Sequence, residues 1–371
     1  MKSINFRKFK IKSLKLLLRY FPQNNSDLIS LIRYGKLLKS RISLTENMFV
    51  EEKSLIGHTA DVRCIIKLNE TQLASASFDN TIKIWSLRSG QCIKTLADHN
   101  AEVRSIIKLN ERQLASASSD NTVKIWNFNI GQCCKTLTGH SRFVNTIIML
   151  NEKKLASGSD DNSIKIWDYF SGCCLQTLMT GRVNCILKLT NNQLTSACFD
   201  KVIKIWDFNS GECLEILNGH TEWVNSIIKL NDKQVASGSG DHSIKIWNFH
   251  TGKNIKTLCG HTAWVRSIVK LNHIQFASGS GDNSIKIWNF NTGICFKTIN
   301  GHTPWINSMI KINERHIASG CGDTIKILDV NSGDTLKILC GHTGKVYCLL
   351  KINEKQLISG CVKTIKIWDL F

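Results

Sequence analysis

The chain has 371 residues, 42% of them apolar, and a formal net charge of +19. No run of about 18 apolar residues occurs, which excludes a transmembrane helix. Fifteen cysteines are present and none stands in a Cys-x-x-Cys pair, so no zinc-type ligand spacing exists and no metal or cofactor motif is identified.

Residues 1–49 hold eleven Lys/Arg and two acids. Ile11, Leu14, Leu17, Leu18 and Phe21 follow helical spacing among Lys12, Lys15 and Arg19. Leu28, Leu31, Ile32, Leu38 and Ile42 suggest a second amphipathic helix, begun near Ser26-Asp27. Met1 to Phe21 lacks the apolar core and cleavage site of a secretory signal. Three readings stand side by side for this basic helical extension. It packs on the remainder, or residues 1–21 touch an anionic membrane surface, or residues 10–45 resemble an F-box-like helical module.

From residue 50 onward the chain repeats. Histidines recur at 58, 99, 140, 220, 261, 302 and 342, and tryptophans at 85, 126, 167, 206, 247, 288 and 368, with Leu328 in the remaining slot. Counted this way, residues 50–371 contain eight units of about 40 residues, beginning near 57, 98, 139, 179, 219, 260, 301 and 341. Each unit reads as four short strands. In the second these are Val103–Leu109, Gln113–Ser118, Thr122–Trp126 and Gln132–Leu137, separated by Asn, Asp and Gly turns. Strands at a strict period demand radial repetition, an all-β propeller of four-stranded antiparallel blades, with residues 1–49 as a short helical addition. Gly-His followed by Trp-Asp or Trp-Asn, as in Gly139-His140 to Trp167-Asp168 and Gly219-His220 to Trp247-Asn248, resembles the WD-repeat family. That resemblance implies repeats that each supply the outer strand of one blade and three inner strands of the next. Phe371 follows Trp368 by three residues, leaving no fourth strand in the last unit. Glu52–Ile56 matches the outer-strand pattern of Cys134–Thr138 and is expected to close the ring against it.

Polar residues recur at fixed offsets in five complete sets: His58, Ser75, Asp79, Trp85; His99, Ser116, Asp120, Trp126; His140, Ser157, Asp161, Trp167; His220, Ser237, Asp241, Trp247; and His261, Ser278, Asp282, Trp288. Five copies argue against a catalytic triad and for a structural hydrogen-bond tetrad, which the family resemblance also implies. Three units depart from the set. The fourth is two residues short and places Met179 at the histidine slot, the seventh is shortened after Asp323, and the eighth has Lys363 for Asp. Those blades are expected to be less tied together. Cys92, Cys133, Cys174, Cys213 and Cys295 share one repeat position, as a small buried residue would. Lys67, Lys108, Lys188, Lys229, Lys270, Lys311 and Lys351 end the innermost strands and are a candidate anion ring at the lower mouth.

Binding residues must be sought among those that do not repeat. Three residues after the histidine slot stand Asp61, Glu102, Phe143, Arg182, Trp223, Trp264, Trp305 and Lys345. Two residues later come Arg63, Arg104, Asn145, Asn184, Asn225, Arg266, Asn307 and Tyr347. In WD-repeat proteins these positions look out from the upper face. Trp, Tyr and Arg there are hot-spot residue types. The expected contact set is therefore Arg63, Arg104, Phe143, Arg182, Trp223, Trp264, Arg266, Trp305 and Tyr347, an aromatic crescent on blades three to seven with Arg63 and Arg104 opposite. Phe78 and Phe199 extend it. Packing of the three tryptophans into the core is the alternative. The implied function is a non-enzymatic scaffold or adaptor, intracellular, cytoplasmic or nuclear, with a monomeric propeller that binds a protein or peptide, an acidic or phosphorylated one among the candidates. The alternatives are an F-box-like substrate receptor of a ubiquitin ligase and a nucleic-acid-associated propeller.

Overall fold

The computed structural model describes residues 52–302 and 305–370, so the extension of residues 1–49, with its F-box-like and membrane-surface readings, lies outside the described residues. Every helix or strand described is a β-strand, from β1 (Glu52–Lys67) to β31 (Val362–Asp369). The second unit forms β5 (Val103–Lys108), β6 (Gln113–Ser118), β7 (Val123–Asn127) and β8 (Gln132–Leu137), within a residue of the sequence expectation, paired antiparallel in that order.

Side-chain size explains how such sheets pack round an axis. Neighbouring blades converge toward their inner strands, so the second strand of each unit is buried on both faces and built from Ala, Ser and Gly. The limit is visible at Gly158, where a Cβ would stand 2.4 Å from Val183 Cγ1 of the next blade. Further out the gap widens and the repeat tryptophans fill it. Trp126 and Phe128 of the second blade pack with Ile82, Ile84 and Leu96 of the first. Each core cluster thus belongs to two blades, and burying one such aromatic contributes roughly 3 kcal/mol.

The innermost strands run β1, β5, β9 (Val144–Met149), β13 (Val183–Lys188), β17 (Val224–Lys229), β21 (Val265–Lys270), β25 (Ile306–Lys311) and β29 (Cys348–Lys351). Each contacts the next, and β29 contacts β1. These eight contacts make a closed ring. Strand β1 serves two blades. Its first half pairs with β31, Glu52 opposite Trp368 through Ile56 opposite Thr364, and its second half pairs with β2 (Gln72–Ser77). Leu55 is fully buried in the seam with Ile358, Ile365 and Ile367. The N-terminal strand therefore closes the last blade as its sequence pattern indicated.

The shared cysteine position does not behave as expected. Cys174 and Cys213 are exposed and Cys92, Cys133 and Cys295 only half-buried. They lie opposite the repeat tryptophans at a bulge, on the outermost strand, which has no further strand to cover it.

Candidate partner-binding face

Two loops of each blade meet at one end of the propeller. One leads from the histidine into the innermost strand; the other joins the second and third strands. A backbone bond ties them: Phe78 N–H donates to Asp61 O at 2.9 Å, Ser119 to Glu102, Asp160 to Phe143, Phe199 to Arg182, Gly240 to Trp223 and Gly281 to Trp264. This end is the upper face.

Beneath it the repeated polar residues form a chain of hydrogen bonds. In the first blade the Trp85 indole N–H donates to Ser75 Oγ at 2.8 Å, leaving the serine hydroxyl to donate to His58 Nε2 at 2.7 Å. His58 Nδ1–H then donates to Asp79 at 2.7 Å. Asp79 also accepts from the Thr59 and Thr81 amides and the Thr81 hydroxyl. Burial alone would raise the Asp79 carboxyl. The bonds from His58, Thr81 and Thr59 outweigh it and hold the group far below the carboxylate range. The same distances recur around His99, His140, His220 and His261. Ser75 and its equivalents are fully buried, so these Ser–His–Asp sets face no substrate.

The departing blades differ in ways the spacing alone did not reveal. Met179 does not occupy the histidine site; it ends an outer strand, 65% exposed, and Ser196, which bonds no histidine among the described residues, accepts from Trp206 at 3.1 Å. In the seventh blade, Cys321 pairs directly with Thr324, so a two-residue turn replaces the three residues of Phe78, Asp79 and Asn80. Asp323 is thereby carried away from His302, whose Nδ1 has no partner among the described residues. The eighth blade has the same short turn, and His342 Nδ1 meets Thr364 Oγ1 at 3.3 Å where a carboxylate stands elsewhere.

On the upper face the three tryptophans are outside the core: Trp223 is 44% exposed, Trp264 41% and Trp305 44%. Their rings form one ladder with Phe199. Centroids are 5.6 Å apart from Phe199 to Trp223, 6.2 Å to Trp264 and 6.0 Å to Trp305. Cations cap it. Arg182 lies 4.5 Å over Phe199, Arg266 is 5.6 and 5.5 Å from Trp264 and Trp305, and Lys345 is 5.6 Å over Trp305. Phe143 is exposed but stands apart from the ladder, under Arg104 at 5.1 Å. The ring-to-ring contacts therefore run from the fourth blade to the seventh, not from the third.

The second row has a cause in the backbone. Arg63, Arg104, Asn145, Asn184, Asn225, Arg266 and Asn307 are the extra residues at bulges in the innermost strands. A bulge re-aims its side chain, and here several reach the neighbouring blade. Asn145 donates to Val183 O, Asn184 to Val224 O and Asn225 to Val265 O at 3.0–3.2 Å. Arg104 donates to Ser119, Asn145 and Glu102. It is thus spoken for within the molecule, and Arg63 and Arg104 are not an equivalent pair. Arg63 is exposed, 4.8 Å from the Phe78 ring and 4.4 Å from that of Tyr347. At the other end the candidate anion ring of seven lysines is neutralised at five positions. Lys67, Lys108, Lys229, Lys311 and Lys351 each pair with an acid three residues on.

Comparison with known proteins adds three findings. The family model described as WD domain, G-beta repeat matches residues 49–86, 90–127, 131–168, 172–207, 211–248, 252–289, 293–329 and 333–369. Each match takes in one outer strand and the three strands of the following blade. The crystal structure of the computationally designed Ika8 protein is similar, with a TM-score of 0.78 and 27% identity over 85% of this chain and 98% of that one. Zinc finger CCCH domain-containing protein 17 of Oryza sativa subsp. japonica is 38% identical over 72 residues, which is 19% of this chain and 16% of that protein.

Proposed function

The chain belongs to the WD domain, G-beta repeat family, and from that premise we propose that it is a non-catalytic interaction platform whose protein or peptide partner docks on the upper face. WD-repeat propellers typically serve as protein-interaction scaffolds. The observation that carries the reading here is the ladder of Phe199, Trp223, Trp264 and Trp305, stacked on one another and open to solvent. Contiguous exposed aromatic surface of this kind marks an interaction site. Tryptophans were available to this fold as buried fillers, and Trp85, Trp126 and Trp167 serve that way. The three on the upper face serve no such packing role.

The ladder suits an extended peptide that lays apolar side chains on the rings. Most of the cations beside it are bonded to the protein itself, which disfavours a nucleic-acid backbone as the principal ligand. Affinity capture with quantitative mass spectrometry, comparing the wild-type chain with Trp264→Ala, tests the reading. At least tenfold depletion of the partner is expected, because a buried interface tryptophan contributes about 2 kcal/mol or more. An unchanged set of captured proteins removes this face from consideration. Capture that collapses between about 50 and 200 mM salt would favour nucleic acid instead.

A further inference from the structure

One loop position sets the two halves of the upper face apart. The residue before the turn aspartate is Phe78, Ser119, Asp160, Phe199, Gly240 and Gly281 in the first six blades. In each its N–H donates to the carbonyl of the loop residue beside it, so the backbone there is alike. In blades one, three and four the side chain reaches the next blade. Phe78 lies 5.6 Å from Arg104, Asp160 accepts from Arg182 at 2.6 Å, and Phe199 lies 5.6 Å from Trp223. In blades five and six glycine leaves that place bare. A Cβ on Gly240 would meet Glu222 Cβ at 3.2 Å and then the Trp223 backbone at 3.7 Å. One on Gly281 would meet Ala263 Cβ at 3.5 Å and then the Trp264 backbone at 3.9 Å. These nearest atoms all belong to the loop of the same blade, and none comes from the next. Neither glycine adopts a left-handed φ, so the backbone does not require it. Two open bays result, one beside Trp223 and one beside Trp264.

Phe199 shows what fills such a bay. It occupies the equivalent place in blade four, and its ring packs on the tryptophan of the following blade. By the same repeat, a large apolar side chain beside Gly240 would rest on Trp264, and one beside Gly281 on Trp305. The ladder advances 6.2 Å from Trp223 to Trp264 and 6.0 Å to Trp305. In an extended chain, alternate side chains on one face stand roughly 6.6 Å apart, close to that step. A polyproline helix returns a side chain to the same face only every roughly 9 Å, which does not match. Charge does not select an acidic ligand at these blades. The loops of blades four to seven carry Arg182, Lys201 and Arg266 against Asp200, Glu222, Asp241, Asp282 and Asp323. Arg182 pairs with Asp160 and Lys201 with Glu222, while Arg266 and Lys345 lie over tryptophan rings. With acids not outnumbered there, the bays call for apolar side chains.

We propose that Gly240 and Gly281 hold open two bays for a protein partner, which fills them with two large apolar side chains placed two residues apart in an extended segment. Those side chains take in blades five and six the place that Phe199 takes in blade four. This rests on the docking face proposed above and names the partner's chemistry.

The test uses the full-length chain and four synthetic nine-residue peptide libraries with randomised flanks and a fixed centre of Phe-Ala-Phe, Phe-Phe-Ala, Phe-Ala-Ala or Phe-Ala-Glu. Enriched sequences are resynthesised with all four centres and their affinities measured by fluorescence polarisation. Phe-Ala-Phe should bind about tenfold or more tighter than the other three, the difference expected for one further buried aromatic side chain. Gly240→Phe and Gly281→Phe each fill one bay with a ring of the chain itself. Each should weaken Phe-Ala-Phe about tenfold while leaving Phe-Ala-Ala, which needs one bay, within about threefold. Gly240→Ala and Gly281→Ala leave the bays open and should keep the preference. Unchanged melting temperatures exclude misfolding, and leucine replaces phenylalanine in a variant whose melting temperature falls. Trp264→Ala should weaken every peptide. Equal affinity for Phe-Ala-Phe and Phe-Ala-Ala, tighter binding of Phe-Ala-Glu, or a preference that survives both bay-filling substitutions overturns the proposal and leaves the docking face standing where Trp264→Ala still weakens binding. Failure of the wild-type chain to enrich any sequence from the four libraries overturns both.

Discussion

His302 Nε2 holds the buried Ser319 hydroxyl at 2.9 Å, while Nδ1 of the same ring has no partner among the described residues. A histidine so placed is stable only when neutral. Burial, helped by the charge of Lys326, lowers it from 6.5 to about 4, and burial with Lys366 does the same to His342. Unfolded, both would take a proton near 6.5, so between 6.5 and 4 the unfolded chain binds more protons. Stability from these sites is complete above about 6.5 and falls as pH drops toward 4, by on the order of 3 kcal/mol each at most. In the first blade the tetrad carboxylate is the depressed group, and its contribution holds above about 3.8 and is lost only in stronger acid. Hydrogen exchange at pH 4.5 against pH 7, corrected for intrinsic rates, should therefore show the amides of β26 (His316–Cys321) and β30 (Gln356–Gly360) deprotected ahead of β2 and β6. Uniform deprotection around the ring would contradict this.

A second prediction follows from the short turn. Asp323 has the right chemistry for His302 but a turn one residue too short to reach it. Inserting Asn after Asp323 recreates the Asp-Asn arrangement of Asp79 and Asn80, where Asn80 adopts a left-handed φ of 68° that asparagine tolerates. The inserted chain should be more stable by about 1–2 kcal/mol, from one charge-assisted bond and one satisfied buried nitrogen. The point substitution Lys363→Asp, made without an insertion, should give little. Urea unfolding of both variants decides the matter. An equal gain from the two would show that residue type, not turn length, is limiting.

Serine is the hinge of each tetrad, and its worth depends on what it joins. Ser237 accepts from Trp247 at 2.8 Å and bonds His220 at 2.7 Å, whereas Ser196 accepts from Trp206 at 3.1 Å and bonds no histidine among the described residues. Ser237→Ala strands two buried groups and should cost about 2–4 kcal/mol; Ser196→Ala strands one and should cost about half that. Equal costs would mean that the tetrad bonds act independently of their chain.

The eight-fold repeat, the closing strand and the set of residues at the upper face were all legible, because each rests on period and spacing, which a sequence states directly. The pairings among those residues were not. Arg63 and Arg104 occupy the same repeat position, and only the placement of Glu102 and Ser119 shows that one is bonded and the other is not. Asp323 sits at the expected interval from His302, yet interval does not reveal that the missing residue lies in the turn. Period gives position along a strand; which neighbour a long polar side chain chooses is settled by contacts between blades that are distant in sequence. Cys174 and Cys213 fail for a related reason, since their position repeats in register without being covered by another strand.

Closure of the ring supplies the last prediction. Ser54 and Lys366 bond across 312 residues of sequence, and Leu55 beside them is fully buried against the last blade. Leu96 is its counterpart in the first blade, opposite Ile82 as Leu55 is opposite Ile365, but its partners lie nearby in sequence. Both leucines are buried, so Leu→Ala should cost about 2–5 kcal/mol at either site. The kinetic outcomes should differ. A contact spanning nearly the whole chain carries a loop-closure cost that favours its forming after the blades themselves. Interactions absent from the transition state appear in the unfolding rate. Leu55→Ala should therefore speed unfolding with folding nearly unchanged, while Leu96→Ala should slow folding as well. Stopped-flow measurements in urea separate the two, and a slowed folding limb for Leu55→Ala would place ring closure before the barrier instead of after it.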